Sequence, residues 1–250
     1  MMMVAALSDF LRELELNLRG WRDLCLGFGF VLLCSLVTMS GIRAEERKEI
    51  RVPRGGVIAA EGDSLTYGMD VSPAGKPTQI NRASFTRSTN PYPETLATDL
   101  AGCAQVVNRG FPGDRSVDGL VRWQTVPPVN VALLMYGSND ATNYGHSATG
   151  VVSLDVFHSV MRLIATRRMA QGATVVLLLP PPIGDPRAEA MIAPYRRDVQ
   201  ALGKEMGLSV FDPKEALSGV EPVFTEDRVH LSPAANIAIA KGLASLVRCN

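Results

Sequence analysis

Val57-Ile58-Ala59-Ala60-Glu61-Gly62-Asp63-Ser64-Leu65-Thr66-Tyr67-Gly68 opens the folded part of the chain. Four apolar residues in a row read as a buried strand, and the glycine, acid and serine that follow are turn formers. The serine therefore stands where a strand leaves its sheet. At such a lip its hydroxyl is a nucleophile if a base stands beside it, and a turn residue if none does.

The same grammar repeats downstream. Strand-like runs at residues 57–60, 105–108, 131–136, 174–179 and 209–211 alternate with helical patterns. One helix is expected with Pro93 as its first residue, a second along the stripe Leu154, Phe157, Val160, Met161 and Ile164, and a third over residues 187–206. The last has the clearest start, with Ser232 as N-cap and Pro233 at the first position, and it carries Ile237, Ile239, Leu243, Leu246 and Val247. Alternation of this kind predicts parallel βαβ units. In an open parallel sheet, ligands gather beyond the carboxyl ends of the strands. Gly62-Asp63-Ser64 stands after the first strand, Asn108-Arg109-Gly110-Phe111-Pro112-Gly113-Asp114 after the second, and Gly137-Ser138-Asn139-Asp140 after the third. Polar residues and glycines thus collect along one edge.

A serine needs a base, and the chain has three histidines. His158 falls within a helical stripe and reads as a surface or packing residue; His146 follows Asn143-Tyr144-Gly145 in a loop. His230 is different. Asp227 precedes it by three residues, and the helix start at Ser232-Pro233 fixes the loop that holds both, so the carboxylate can turn back onto the imidazole. Acyl chemistry also requires donors aimed at the developing oxyanion. The candidates are the backbone N–H of Ser64, that of Gly113, where no Cβ obstructs a ligand, and the side-chain amide of Asn139.

With these four blocks in order, the chain resembles the SGNH or GDSL hydrolases over residues 57–248. The resemblance implies a flavodoxin-like three-layer αβα sandwich on a five-stranded parallel sheet, with a shallow active site. It implies Ser64 as nucleophile, His230 as general base and acid, Asp227 as its orienting partner, and an oxyanion hole of Ser64, Gly113 and Asn139. Asp63, Asp114 and Asp140 are implied to tie loops together. Arg115 departs from the pattern, because many relatives carry a small hydroxyl residue there. No cofactor or metal ion is called for. The expected activity is hydrolysis of carboxylic esters through an acyl-enzyme, with a saccharide or other small-molecule ester as substrate. Acyl transfer, thioester or lysophospholipid hydrolysis by the same residues, and a non-catalytic binding module, are the alternatives. Gly-x-Ser-x-Gly, Ser-x-x-Lys, a phosphate loop and His-Glu-x-x-His are all missing from the sequence.

The remaining features concern compartment and partners. The 25 basic residues balance 25 acidic ones without a long block of either sign, which argues against nucleic acid as a partner. Residues 24–42, opened by Leu24 and closed by Ile42, carry no charge, and read as a signal or membrane-anchor segment. Residues 1–23 before it keep the helical spacing Leu7, Phe10, Leu11, Leu14 and Leu18, as an amphipathic leader would. Export to the periplasm or cell exterior follows, with membrane attachment if the segment is retained, and a cytoplasmic protein if translation starts at Met39. Residues 43–56 read as a charged linker and residues 57–250 as the hydrolase domain. Between Met69 and Tyr92 lies a long Pro-, Gly-, Asn- and Ser-rich stretch, read as a loop beside Ser64 whose Lys76, Arg82 and Arg87 favour an acidic saccharide. Cys103 and Cys249 follow the first and last core helices; in a flavodoxin-like arrangement those helix ends lie together, which makes a disulfide feasible and would fit an oxidising compartment.

Overall fold

The computed structural model describes residues 49–72, 75–80, 83–143 and 150–250. The expected leader, the apolar segment 24–42, Arg82 and His146 lie outside them. Strand β1 (Ile50–Val52) precedes the first core strand β2 (Gly56–Gly62), the one-turn helix α1 (Ser64–Tyr67) and the hairpin β3 (Lys76–Ile80) and β4 (Ala83–Arg87). Next come α2 (Tyr92–Asp99), β5 (Ala104–Gly110), α3 (Ser116–Arg122), β6 (Val131–Met135) and α4 (Ser138–Thr142). The chain ends with α5 (Leu154–Ala170), β7 (Thr174–Leu178), α6 (Pro186–Met206), β8 (Ser209–Phe211), α7 (Pro213–Ala216), α8 (Pro233–Ala244) and β9 (Val247–Cys249).

The five core strands are all parallel and lie in the order β5-β2-β6-β7-β8. Counted along the chain this is 2-1-3-4-5, the flavodoxin-like order, whose switch point lies beside its first strand, here β2. The alternation of side chains builds both flanking layers. In β6, Val131, Leu133 and Met135 join α2 and α8 on one face, whereas Ala132, Leu134 and the following Tyr136 join α5 and α6 on the other. Each buried Leu or Val contributes about 1.5–3 kcal/mol from apolar burial. Register levels the three strand ends, because Gly62 lies opposite both Gly110 and Met135. The loops that follow therefore leave from one rim.

Two stretches differ from the sequence reading. Residues 43–56 are not linker throughout: Ile50 and Val52 are buried, and β1 runs parallel to β9 with Val52 opposite Cys249. Three alternating residues between Glu49 and Pro53 are too short a signal to read as a strand. Consequently the last helix stops at Ala244, and Val247 belongs to β9 instead. The 69–92 stretch is not a plain loop either, since β3 and β4 pair antiparallel within it. Its Arg87 is committed inside the protein, stacked 4.7 Å over the Tyr67 ring, donating to the Tyr67 carbonyl at 2.8 Å and paired with Glu94. It is not offered to an acidic saccharide. A smaller shift concerns α2, whose first residue is Tyr92, with Pro93 second.

Cys103 and Cys249 form a disulfide, with Cα atoms 5.8 Å apart across a sequence separation of 146. Around it, Gly55 donates to the Cys103 carbonyl at 2.7 Å and Asn250 to the Val52 carbonyl at 3.2 Å, so both chain ends of the domain are tied at one corner. On the opposite face of the sheet, the carboxylate of Glu61 in β2 sits between two guanidinium groups. Arg168 of α5 donates to it three times at 2.9–3.1 Å and Arg109 once at 3.0 Å. The second positive charge is dispersed over carbonyls: Arg168 also reaches Trp123 O at 2.7 Å, and Arg109 reaches Pro127 O at 3.2 Å. A buried carboxylate of this kind is tolerated because every oxygen is paired.

Two outcomes are expected. Glu61→Gln leaves two buried guanidiniums without their counter-charge and lowers the unfolding free energy by about 3–5 kcal/mol, measured by urea denaturation; a change under 1 kcal/mol would mean the pair acts as a solvated one. Cys103→Ser with Cys249→Ser removes a constraint on a long loop and costs about 2–4 kcal/mol, and dithiothreitol should have the same effect on the parent chain and none on the double variant.

Candidate active site

Ser64 is lifted out of the sheet by the turn that ends β2. Asp63 is the N-cap of α1, its Oδ1 accepting from Leu65 N–H at 2.8 Å. Gly62 has to be glycine, since a Cβ there would stand 2.2 Å from Thr66 Oγ1 and 2.6 Å from the Met135 carbonyl. The helix end is closed by Gly68 and Met69, both donating to the Ser64 carbonyl. Asn108, at the matching end of β5, donates to the Thr66 carbonyl at 3.0 Å and accepts from Gly110 at 2.9 Å. The serine is thus held from below by two strands.

His230 arrives from the loop before α8. Asp227 Oδ1 accepts from Thr225 Oγ1, Val229 N–H and His230 N–H, each at 2.9 Å. That leaves Oδ2 for the imidazole, at 2.5 Å from His230 Nδ1. With Nδ1–H donating to the carboxylate, Nε2 is an acceptor, and it lies 3.0 Å from Ser64 Oγ. The three residues that the sequence singled out as Ser, His and Asp are brought into one hydrogen-bonded line. Burial pushes the Asp227 carboxyl up, but hydrogen bonds from the His230 ring and from the His230 and Val229 backbone outweigh it and hold it well below the usual carboxylate range. It is therefore ionised wherever the imidazole needs a partner.

The loop is clipped in place from two sides. Gly184, after β7, donates to the Arg228 carbonyl at 2.8 Å, and Arg228 Nη2 donates back to the Gly184 carbonyl at 2.5 Å. Arg228 pays for this with a left-handed backbone, φ 60°. On the other side Asn236, buried inside α8, accepts from Tyr92 N–H at 3.1 Å and donates to the Leu231 and Ser232 carbonyls. Tyr92 Oη in turn lies 3.2 Å from Thr66 Oγ1. A chain of bonds therefore runs from the serine helix to the histidine loop.

Gly113 and Asn139 stand on the next two loops of the rim. Phe111-Pro112-Gly113-Asp114 forms a turn closed by Asp114 N–H to Phe111 O at 3.1 Å, with φ 84° at Gly113. Proline second and a positive-φ glycine third are the marks of type II. Phe111 N–H donates to the Gly62 carbonyl at 3.0 Å, which docks this turn beside the serine turn. Asn139 Nδ2 gives one hydrogen to the Asp114 carbonyl at 2.9 Å and keeps its second for another acceptor. Asp140 receives Ser116 Oγ at 2.6 Å and Ser116 N–H at 3.0 Å, tying α4 to α3. Arg115, the departure from the family pattern, is buried at the start of α3, where Asp118 accepts from its N–H and Nε–H and its Nη1 reaches the Gly150 carbonyl.

These observations meet the comparisons with known proteins. The model of the GDSL-like lipase/acylhydrolase family matches residues 60–236. The chain belongs to that family. Among solved structures, an acetylxylan esterase from Geobacillus stearothermophilus is similar at a TM-score of 0.62 and 20% identity, over 80% of this chain and 99% of that one. A lipase/acylhydrolase from Enterococcus faecalis is similar at 0.60 and 20%, over 76% and 94%. At such identities the likeness is one of fold. No curated protein matches the chain. Within the family frame, His158 is an interhelical contact, lying 3.0 Å from Asp198 and 3.1 Å from Glu205 of α6. Asn236, Tyr92 and the Gly184–Arg228 clip went unread in the sequence; an asparagine on the apolar face of α8 was the one available signal.

Burial lifts two acids beneath the rim. Asp63 is raised from 3.8 to about 7 by desolvation, against the Leu65 N–H bond and with Asp140 and Asp114 adding to the rise. Asp140 is raised to about 6, again by desolvation, against its bonds from Ser116. Both hold protons more tightly folded than unfolded, so their stabilising contribution is complete below the ordinary carboxylate range and is lost as pH rises through about 6 and about 7. Asp63→Asn keeps the acceptor for Leu65 without a titrating proton. It is expected to flatten the decline in unfolding free energy between pH 4 and pH 7 in urea titrations; a slope equal to the parent's would contradict the assignment.

Proposed function

We propose that the chain is a serine esterase that hydrolyses carboxylic esters through an acyl-enzyme on Ser64. The observation that carries this reading is the line Ser64 Oγ, His230 Nε2, His230 Nδ1, Asp227 Oδ2, with contacts of 3.0 and 2.5 Å. Membership of an acylhydrolase family supports the same class of reaction. As Oγ bonds to the ester carbonyl carbon, its proton passes to Nε2, and Asp227 stabilises the imidazolium. The carbonyl oxygen becomes an oxyanion facing the N–H groups of Ser64 and Gly113 and the second Asn139 hydrogen. Collapse breaks the bond to the alkoxy oxygen, which leaves as the alcohol with the proton from His230. Water then repeats the sequence against the acyl-enzyme, and the acid and free Ser64 result.

For the substrate we take short acyl groups, acetyl above all, on a saccharide or simple alcohol. The long polar insert directly after the serine helix supports this choice. Export belongs to the same reading; the apolar segment 24–42 and the Cys103–Cys249 disulfide support it. Among the described residues no helix is long and apolar enough to cross a membrane.

A fluorophosphonate probe should label the parent chain once, and Ser64→Ala should abolish labelling and lower kcat on 4-nitrophenyl acetate by about 1,000-fold or more. Activity should fall as the acyl chain lengthens from acetate to octanoate. Undiminished labelling of Ser64→Ala would refute the assignment, and a preference for octanoate would refute the short-acyl choice.

A further inference from the structure

The turn that carries Gly113 is spanned by one side chain from outside it. Arg122, in the last residue of α3, donates through Nε to Asp114 Oδ2 at 2.7 Å and through Nη2 to Asp114 Oδ1 at 2.8 Å. Its guanidinium carbon also lies 3.5 Å from the centre of the Phe111 ring. Phe111 and Asp114 are the first and last residues of the four-residue turn, so a single planar group grips both ends, by cation–π stacking at one and a two-pronged ion pair at the other. Asp114 is almost wholly buried, with 3% of its side chain exposed, and the Arg122 guanidinium supplies it with a counter-charge there.

The grip matters because of what the turn holds. In a type II turn the central peptide stands across the plane of the turn, and here the N–H of that peptide belongs to Gly113. The orientation of that N–H follows from how the ends are spaced. The Asp114 carbonyl, at the last position, is also the acceptor that orients the Asn139 amide. Two of the three donors assigned to the oxyanion therefore take their aim from residues that Arg122 holds, while Ser64, His230 and Asp227 are positioned by other elements.

We infer that Arg122 is a positioning residue of the oxyanion hole, setting the Gly113 N–H and the Asn139 amide through Phe111 and Asp114; the inference rests on the esterase reading above. Arg122 does not touch the substrate. Its effect is confined to the stage at which negative charge develops on the carbonyl oxygen, and it is absent from ground-state binding. A lysine at this position keeps the charge but loses the fork and most of the stacking plane.

The test compares the full-length parent, Arg122→Gln, Arg122→Lys and Phe111→Leu. Rates with 4-nitrophenyl acetate are expressed per site labelled to completion by a fluorophosphonate, so that loss of folded protein does not count as loss of rate. Arg122→Gln is expected to lower kcat by about 10- to 100-fold with KM changed by no more than about threefold. Arg122→Lys should fall between it and the parent. Affinity for a short alkylboronic acid, which forms a tetrahedral adduct on the serine, should fall in step with kcat/KM. If Arg122→Gln does not fold, Arg122→Lys and Phe111→Leu carry the test by the same criteria. Unchanged kcat per labelled site, or a lowered kcat with boronic acid affinity intact, would overturn the inference and leave the esterase reading standing. A parent chain that takes no label would overturn both.

Discussion

The contact between His230 Nε2 and Ser64 Oγ, 3.0 Å long, joins residues 166 positions apart. Separate elements hold its two ends at that distance. The serine end is fixed by a parallel sheet whose first strand lies at the switch point, and the histidine end by a helix start whose N-cap, Ser232, accepts from Ala235 N–H at 3.1 Å. Neither end has the other as a neighbour in sequence. Their meeting is secured by a short relay, Thr66 to Tyr92 to Asn236 to Leu231, buried beneath them.

Such a site costs stability, and the costs are visible. Arg228 adopts a left-handed backbone, and Asp63, Asp114 and Asp140 are withdrawn from water close to one another. Each acid is relieved by a different means. Asp114 has the Arg122 guanidinium, Asp140 has the Ser116 hydroxyl and N–H, and Asp63 has a backbone N–H together with a raised proton affinity. Glu61, one step before Gly62 on the same strand, has two arginines of its own. These acids withdrawn from water beneath the rim are thus each given a partner.

Much of this was legible from the chain alone, for identifiable reasons. The five core strands each carry a short apolar run, and three of the four polar blocks follow them at strand ends, so fold class and candidate site came from the same pattern. For Cys103 and Cys249 the placement of the first and last helices made a disulfide feasible without deciding it, and the structure forms it. What escaped reading was short or nonlocal. Strands β1 and β9 have three residues each and are strands only because they meet; β3 has no apolar alternation and is interrupted by Pro77, and in β4 the alternation is confined to Ala83 and Phe85. Arg122 reads as an ordinary charged helix end until the turn folds back against it. Arg87 reads as a surface cation until Tyr67 and Glu94 close on it. Pairings of this type depend on geometry that no local window contains.

The proposed chemistry needs one hydroxyl, one imidazole and one carboxylate to meet beneath donors arranged for an oxyanion. It is tested most directly by a crystal structure of the chain after reaction with a small fluorophosphonate. The account requires phosphorus bonded to Ser64 Oγ, its unesterified oxygen within hydrogen-bond distance of the Ser64 and Gly113 N–H groups and of Asn139 Nδ2, and His230 still held by Asp227. Phosphorus on another residue, or an oxygen turned toward solvent with Gly113 and Asn139 facing away, would contradict it.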